Sequence, residues 1–448
     1  MLLIYTDTIS PRLEYIAELI FRSILCVDFE FVTDKQKFAN SDLPKLNYSE
    51  EKSGDELFLK SNRLLFSEKI ENPKLKPVLY EGKTGFFETS ADSFLPFDPL
   101  CASFYAVSRM EEYLPALCDN HGRFVAGNSF LYQFGLLEQP VVNIWARILA
   151  GKIAERYSCF EFSRQPFVFL PTIDVDNAWA YRGKGFLRWS GALAKELSRG
   201  DLKSAGARFQ ALRNIKNDPF NVYRRLFSVF GQNPEAPVFF FLLGDYGKYD
   251  KNVPWTNRRF RDLIREIGAR HKTGIHPSWL SSEQSDFTII EKEKTRLQTI
   301  TGEKVVRARQ HFIRLQFPTT YRNYIDAGIT NDHTMGYPDA IGFRAGTCTP
   351  FYFFDLETNR KTELMIYPFQ VMDVTMRHYL KLTPMEAIAK IENMMMHVEN
   401  HGGVFSYIWH NESLNASEQW NEYRKVFKQM NKLGFEINGN PESEIRKD

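Results

Sequence analysis

The sequence predicts an α/β protein: a C-terminal distorted (β/α) barrel of about seven strands, preceded by a smaller α/β or α+β domain. Three observations lead there. At 448 residues the chain is longer than one ordinary domain. From about residue 165, short apolar runs alternate with amphipathic stretches, as parallel strands joined by crossover helices do. Polar residues able to do chemistry sit where those runs end, the end at which barrels place their sites. An open doubly wound sheet is the competing arrangement.

Residues 1–160 read as an accessory domain of short strands and polar loops, with helices near Glu14–Ser23 and Ala102–Tyr113. Phe94–Pro99 carries two prolines and reads as a helix entry. Residues 161–440 read as the barrel. Strands are expected near Phe167–Thr172, Val238–Leu243, Thr273–His276, Val305–Arg309, Gly328–Asn331, Leu364–Pro368 and Val404–Trp409. Helices fit Asn257–His271, Glu283–Thr301, Pro318–Ala327 and Pro384–Asn400.

Composition excludes several classes. Hydrophobic content of 43% and charged content of 25% are globular values, and the net charge of +2 gives no basic footprint for nucleic acid. Five cysteines, an odd number without a Cys-x-x-Cys pair, indicate neither a disulfide framework nor a cysteine zinc knuckle. Met1–Asp7 reads as a first strand and not a signal peptide, and no apolar run reaches spanning length. A cytoplasmic chain is expected, with one region suited to a membrane. That region is 177–236, where 11 Lys/Arg against 4 Asp/Glu are interleaved with Trp179, Phe186 and Trp189. A solvated helical face is its plain meaning; a surface for anionic lipid head groups or acidic glycan is the sharper one.

The most informative element is Asp174-Val175-Asp176, at the end of the first barrel strand. Residues two apart on an extended segment project to one side, so the two carboxylates share a small volume. Their repulsion calls for a metal ion, a shared proton or a nearby cation. His276 ends the third predicted strand, His311 follows the fourth, Asp373 follows Tyr367–Gln370, and His410 ends the last, with Arg344 in Gly342–Gly346. A carboxylate and two imidazoles make an open site for a divalent ion, zinc being the expected one. Asp176, His276 and His311 are the expected ligands, Asp174 the base and His410 the acid. Each could instead be a hydrogen-bonded or packed residue, and Arg344 a plain salt-bridge partner.

Here the sequence resembles a family. Thr172–Asp176 is similar to the Thr-Phe-Asp-Asp-Gly opening motif of polysaccharide deacetylases (carbohydrate esterase family 4), and Gly274–Ser278 to that family's His-Ser/Thr-x-x-His motif. Gly342–Gly346 resembles its arginine motif, Asp373 the supporting aspartate, and Trp409-His410 the terminal histidine motif. The resemblance spans roughly 165–435 and implies a metal-dependent hydrolase acting on an N-acetylated sugar in cell-surface polysaccharide metabolism. The whole chain also resembles a non-exported bacterial group of such proteins with an extra N-terminal domain. Two departures stand out: Val175 occupies the family's metal-aspartate position, and Leu280 the second histidine's. His311 is the expected replacement for the latter. Rival readings are a metal-dependent glycosyltransferase using the Asp-x-Asp and an inactive carbohydrate-binding protein.

Overall fold

The computed structural model describes residues 1–231, 237–283 and 286–439. The N-terminal region forms a parallel four-stranded sheet from β1 (Leu2–Tyr5), β2 (Phe29–Val32), β3 (Lys45–Ser49) and β4 (Leu57–Lys60), in the order β2-β1-β3-β4. A small antiparallel pair follows, β5 (Val78–Tyr80) with β6 (Lys83–Gly85). Asp98 accepts hydrogen bonds from the backbone of Leu100 and Cys101 and caps the helix Pro99–Val107, whose first turn Pro99 pre-sets.

The larger sheet holds β7 (Phe167–Val175), β8 (Val238–Phe241), β9 (Thr273–Ile275), β10 (Arg307–Ala308), β11 (Asn331–Asp332), β12 (Phe351–Asp355), β13 (Arg360–Ile366), β14 (Val371–Met372) and β15 (Gly403–His410). Its order is β12-β13-β11-β10-β9-β8-β7-β15-β14. Successive strands from β7 to β11 are neighbours and parallel, and β15 returns against β7. That is the winding of a (β/α) barrel. The sheet is mixed and has nine strands, and among the described residues no pairing joins its end strands, β12 and β14, to close the ring. The two strands beyond the expected seven are β12, an antiparallel hairpin partner of β13, and the two-residue β14. A strand of two residues leaves no periodicity to read in a sequence.

Register sets the site. Val175 pairs with Phe241, Phe241 with Ile275, and Ile275 with Ala308, and all four are fully buried on the face packed under the helices. The pleat then turns the following residues to the opposite face, which brings Asp176, His276 and Arg309 to one rim. One residue back, Gly274 lies where a Cβ would meet the Phe240 ring at 2.6 Å, so glycine leaves that aromatic room across the inner face. The main apolar core is continuous from Leu2 to Phe435, so it joins N-terminal side chains such as Phe104 to the larger sheet. A smaller cluster, Ile313, Phe369, Met372 and Ile408, fills the inner side.

Candidate metal centre

Asp176, His276 and His311 converge: their ligand atoms lie within 4.8 Å of one another. His276 Nε2 is 3.3 Å from Asp176 Oδ1, and His311 Nε2 is 3.6 Å from Asp176 Oδ2. Each ring is oriented from behind. His276 Nδ1 donates to the Arg309 carbonyl at 2.6 Å, and since a carbonyl only accepts, the proton sits there and Nε2 presents a lone pair. His311 Nδ1 donates to Asp250 Oδ1 at 2.9 Å. Metal-binding histidines are held in this way, by an outer carbonyl or carboxylate. Asp176 Oδ1 is buried with no hydrogen-bond donor, as an atom awaiting a cation would be. An Asp-His-His set at these spacings suits a divalent ion with open positions.

The charges are strongly coupled. Burial works against ionising Asp176, yet the His311 and His276 imidazoles hold its carboxyl well below the usual range. Burial likewise opposes charging His311, and Asp176 with Asp250 outweighs it, pushing that imidazole up to about 9.

Asp174 is buried beside this group, its Oδ2 3.8 Å from His276 Nε2. Its partner is Arg309, whose Nη1 donates to Asp174 Oδ1 at 2.7 Å. The guanidinium rests on the Phe240 ring at 4.5 Å and donates through Nε to the His333 carbonyl. Arg344, the expected arginine of the site, is turned elsewhere. It is buried, bonded to Glu112 and to the Gly336 carbonyl, and so ties the N-terminal region to the larger sheet. No spacing rule distinguishes the two arginines: Arg309 is brought to Asp174 by the pairing of β10 with its neighbours, and Arg344 lies in a turn.

On the adjacent strand β15, His410 is the register partner of Asp174. Its Nδ1 donates to Asp373 Oδ1 at 2.8 Å, and its Nε2 lies 3.9 Å from Asp176 Oδ2. Burial disfavours the imidazolium, but Asp373 and Asp176 prevail and push it up to about 10. Asp373 Oδ2 also accepts from the His410 backbone N–H, which locks the pair.

These groups line a cleft of about 320 Å³. Leu280 is exposed and outside it, and His311 stands beside His276 instead. Sequence reasoning missed four participants. Asp250 comes from a loop after β8, and Arg309 lies two residues before His311. Glu412, in the 3-10 turn that follows His410, lines the cleft and is pushed up to about 6 by burial and by Asp176. Arg123 reaches the cleft from the N-terminal region and donates to the Phe312 carbonyl and the Tyr379 hydroxyl. It thereby braces Phe312, a non-glycine residue at φ +62° next to His311.

The remaining histidines have other neighbours. His271 packs against Phe227 and Phe239, His333 lies between Phe240 and Tyr367, and His121 packs against Trp279. His397 and His401 ride on the helix Pro384–His401. His378 is the exception, lining the cleft beside Trp420.

Residues 2–158 match a family model described as a family of unknown function (DUF7033). No curated protein matches the chain. Among solved structures, the chain is similar to a candidate polysaccharide deacetylase from Mycobacterium smegmatis, at 16% identity and TM-score 0.37, over 61% of this chain and 91% of that one. It is also similar to the polysaccharide deacetylase of Bacillus cereus, at 11% identity and TM-score 0.25, over 60% of this chain and 88% of that one. The 4-α-glucanotransferase of Thermococcus litoralis reaches 13% identity and TM-score 0.37, over 62% of this chain and 38% of that one. Likeness at this level assigns no residue a role.

Proposed function

We propose that the chain is a metal-dependent hydrolase that removes an acetyl group from an N-acetylated sugar. The observation that carries this reading is the convergence of Asp176, His276 and His311 within 4.8 Å, with an ion-paired aspartate on one side and an aspartate-bound histidine on the other. A divalent ion held by those three residues, zinc being the natural choice for two imidazoles and a carboxylate, would supply Lewis acidity to the acetyl carbonyl and to water.

The protein's own residues carry the protons. Asp174 is fixed through Oδ1 by Arg309, which leaves Oδ2 to take a proton from the attacking water. The water oxygen bonds to the acetyl carbon, and the carbon–nitrogen bond then breaks. His410, charged and held through Nδ1 by Asp373, gives its Nε2 proton to the departing amine. The products are acetate and a free amino sugar. Glu412 and Arg123 line the cleft and would contact the sugar.

Purified protein should carry about one divalent ion per chain. It should also release acetate from at least one member of a panel of N-acetylated oligosaccharides and lipid-linked sugars. Asp176→Ala and His276→Ala should each lose the ion while the fold persists. Unchanged metal content in both variants, together with no acetate release from wild type, overturns the reading.

A further inference from the structure

We infer that the helical hairpin Phe186–Arg213 is a docking surface for an anionic lipid membrane, a property independent of the hydrolase reading. The hairpin leaves the sheet just past Asp176. Its first helix, Phe186–Ser198, places Phe186, Trp189, Leu193 and Leu197 at i, i+3, i+7 and i+11, a single apolar stripe. Its second, Leu202–Arg213, does the same with Leu202, Ala205, Phe209 and Leu212. The stripes meet where Trp189 packs edge-on against Phe209, ring centroids 5.4 Å apart.

Meeting each other does not cover them. Phe186 is 78% exposed, Leu187 85% and Leu202 72%, and Leu197, Phe209 and Leu212 are exposed as well. The first helix has no buried residue at all. Isolated exposed apolar side chains are ordinary, but five along the two stripes of one short hairpin, with Leu187 beside the first, call for an occupant.

Charge selects that occupant. The hairpin's two acids are consumed internally: Glu196 accepts from Arg208 at 2.9 Å, and Asp201 caps the second helix. Lys195, Arg199 and Arg213 are exposed with no carboxylate partner among the described residues. An amphipathic element with phenylalanine and leucine on one face and unpaired cations around it lies flat at an anionic headgroup layer. No helix among the described residues is long and apolar enough to cross a membrane, so the contact is peripheral. Trp179, grouped with this region on sequence grounds, takes no part because it is buried against Phe260. The hairpin's root borders the cleft, since Asn177 donates to Glu412.

Co-sedimentation with vesicles tests this. The full chain should pellet with vesicles of phosphatidylcholine and phosphatidylglycerol in equal parts, and not with phosphatidylcholine alone. Phe186→Ser with Leu187→Ser and Leu202→Ser should weaken binding at least about tenfold. Lys195→Glu with Arg199→Glu should weaken it by about fivefold per cation removed, and added salt should do the same to wild type. All these side chains are exposed, so thermal unfolding should not move. Equal binding to both vesicle types, or none to either, overturns the inference. So does a dimer in sedimentation velocity that the triple serine variant dissolves, because a second copy would then cover the patch.

Discussion

Arg309 Nη1 and Asp174 Oδ1 lie 2.7 Å apart although 135 residues separate them in the chain. The contact exists because β10, β9, β8 and β7 are adjacent and in register, which carries the residue after Ala308 to the rim where β7 ends. Both groups are buried, so the pair is shielded from solvent and either member alone would be an uncompensated charge.

Replacing Arg309 by Met should therefore cost about 3–5 kcal/mol, the usual penalty for breaking a buried pair. Arg344→Met should destabilise by less, because Glu112 keeps a second buried cation, Arg109, at 2.7 Å. The two variants should differ in catalysis. Among folded, metal-loaded molecules, only Arg309→Met should lose acetate release, by at least about a hundredfold. Denaturant unfolding and turnover per bound metal measure the two effects, and equal turnover in both variants removes Arg309 from the site.

Asp250→Ala should weaken metal binding by roughly 10–100-fold while leaving Asp176, His276 and His311 in place. Its carboxylate orients the His311 ring through Nδ1, and the free ring would turn at a cost in affinity. His311→Ala should weaken binding at least as much as His276→Ala. Metal titration followed by calorimetry checks both, and an unaffected affinity in Asp250→Ala shows that the orientation of His311 does not depend on it.

Asp174→Asn should keep the metal and lose turnover. The amide still fills the space and accepts from Arg309, at a stability cost because the guanidinium loses its counter-charge, but it cannot take a proton from water. Near-normal acetate release from this variant excludes Asp174 as the base.

Glu293 gives a stability test outside the chemistry. Burial pushes its carboxyl up to about 7 from an ordinary 4.5, and its Oε2 accepts from the Ser278 backbone N–H. Between pH 4.5 and 7 the folded state holds this proton and the unfolded chain does not. Its contribution is complete below pH 4.5 and is lost as pH rises through about 7, at up to about 1.4 kcal/mol per pH unit. Glu293→Gln keeps the acceptor oxygen and removes the ionisation. Relative to wild type it should gain stability as pH rises across that window, by on the order of 1–3 kcal/mol at pH 8. Parallel stability profiles for the two proteins would show that Glu293 does not titrate there.

The alternation of apolar runs with amphipathic stretches marks the strands of the larger sheet, and it places Asp174, Asp176, His276, His311 and His410 at or beside strand ends. That much is local, because side-chain direction and strand length follow from short-range backbone geometry. The sequence by itself therefore determines which residues stand at the rim. It does not determine who meets whom across the rim. Arg309 and Arg344 are indistinguishable by spacing, yet register carries Arg309 to Asp174, while Arg344 sits in a turn outside the strands and meets Glu112. Asp250 and Arg123 come from loops whose course depends on packing, so no periodicity announces them. Closure of the ring is equally a matter of long-range pairing, since it requires two distant strands to hydrogen-bond, and among the described residues β12 and β14 do not. Only the tertiary structure decides such pairings, because each depends on contacts between segments far apart in the chain.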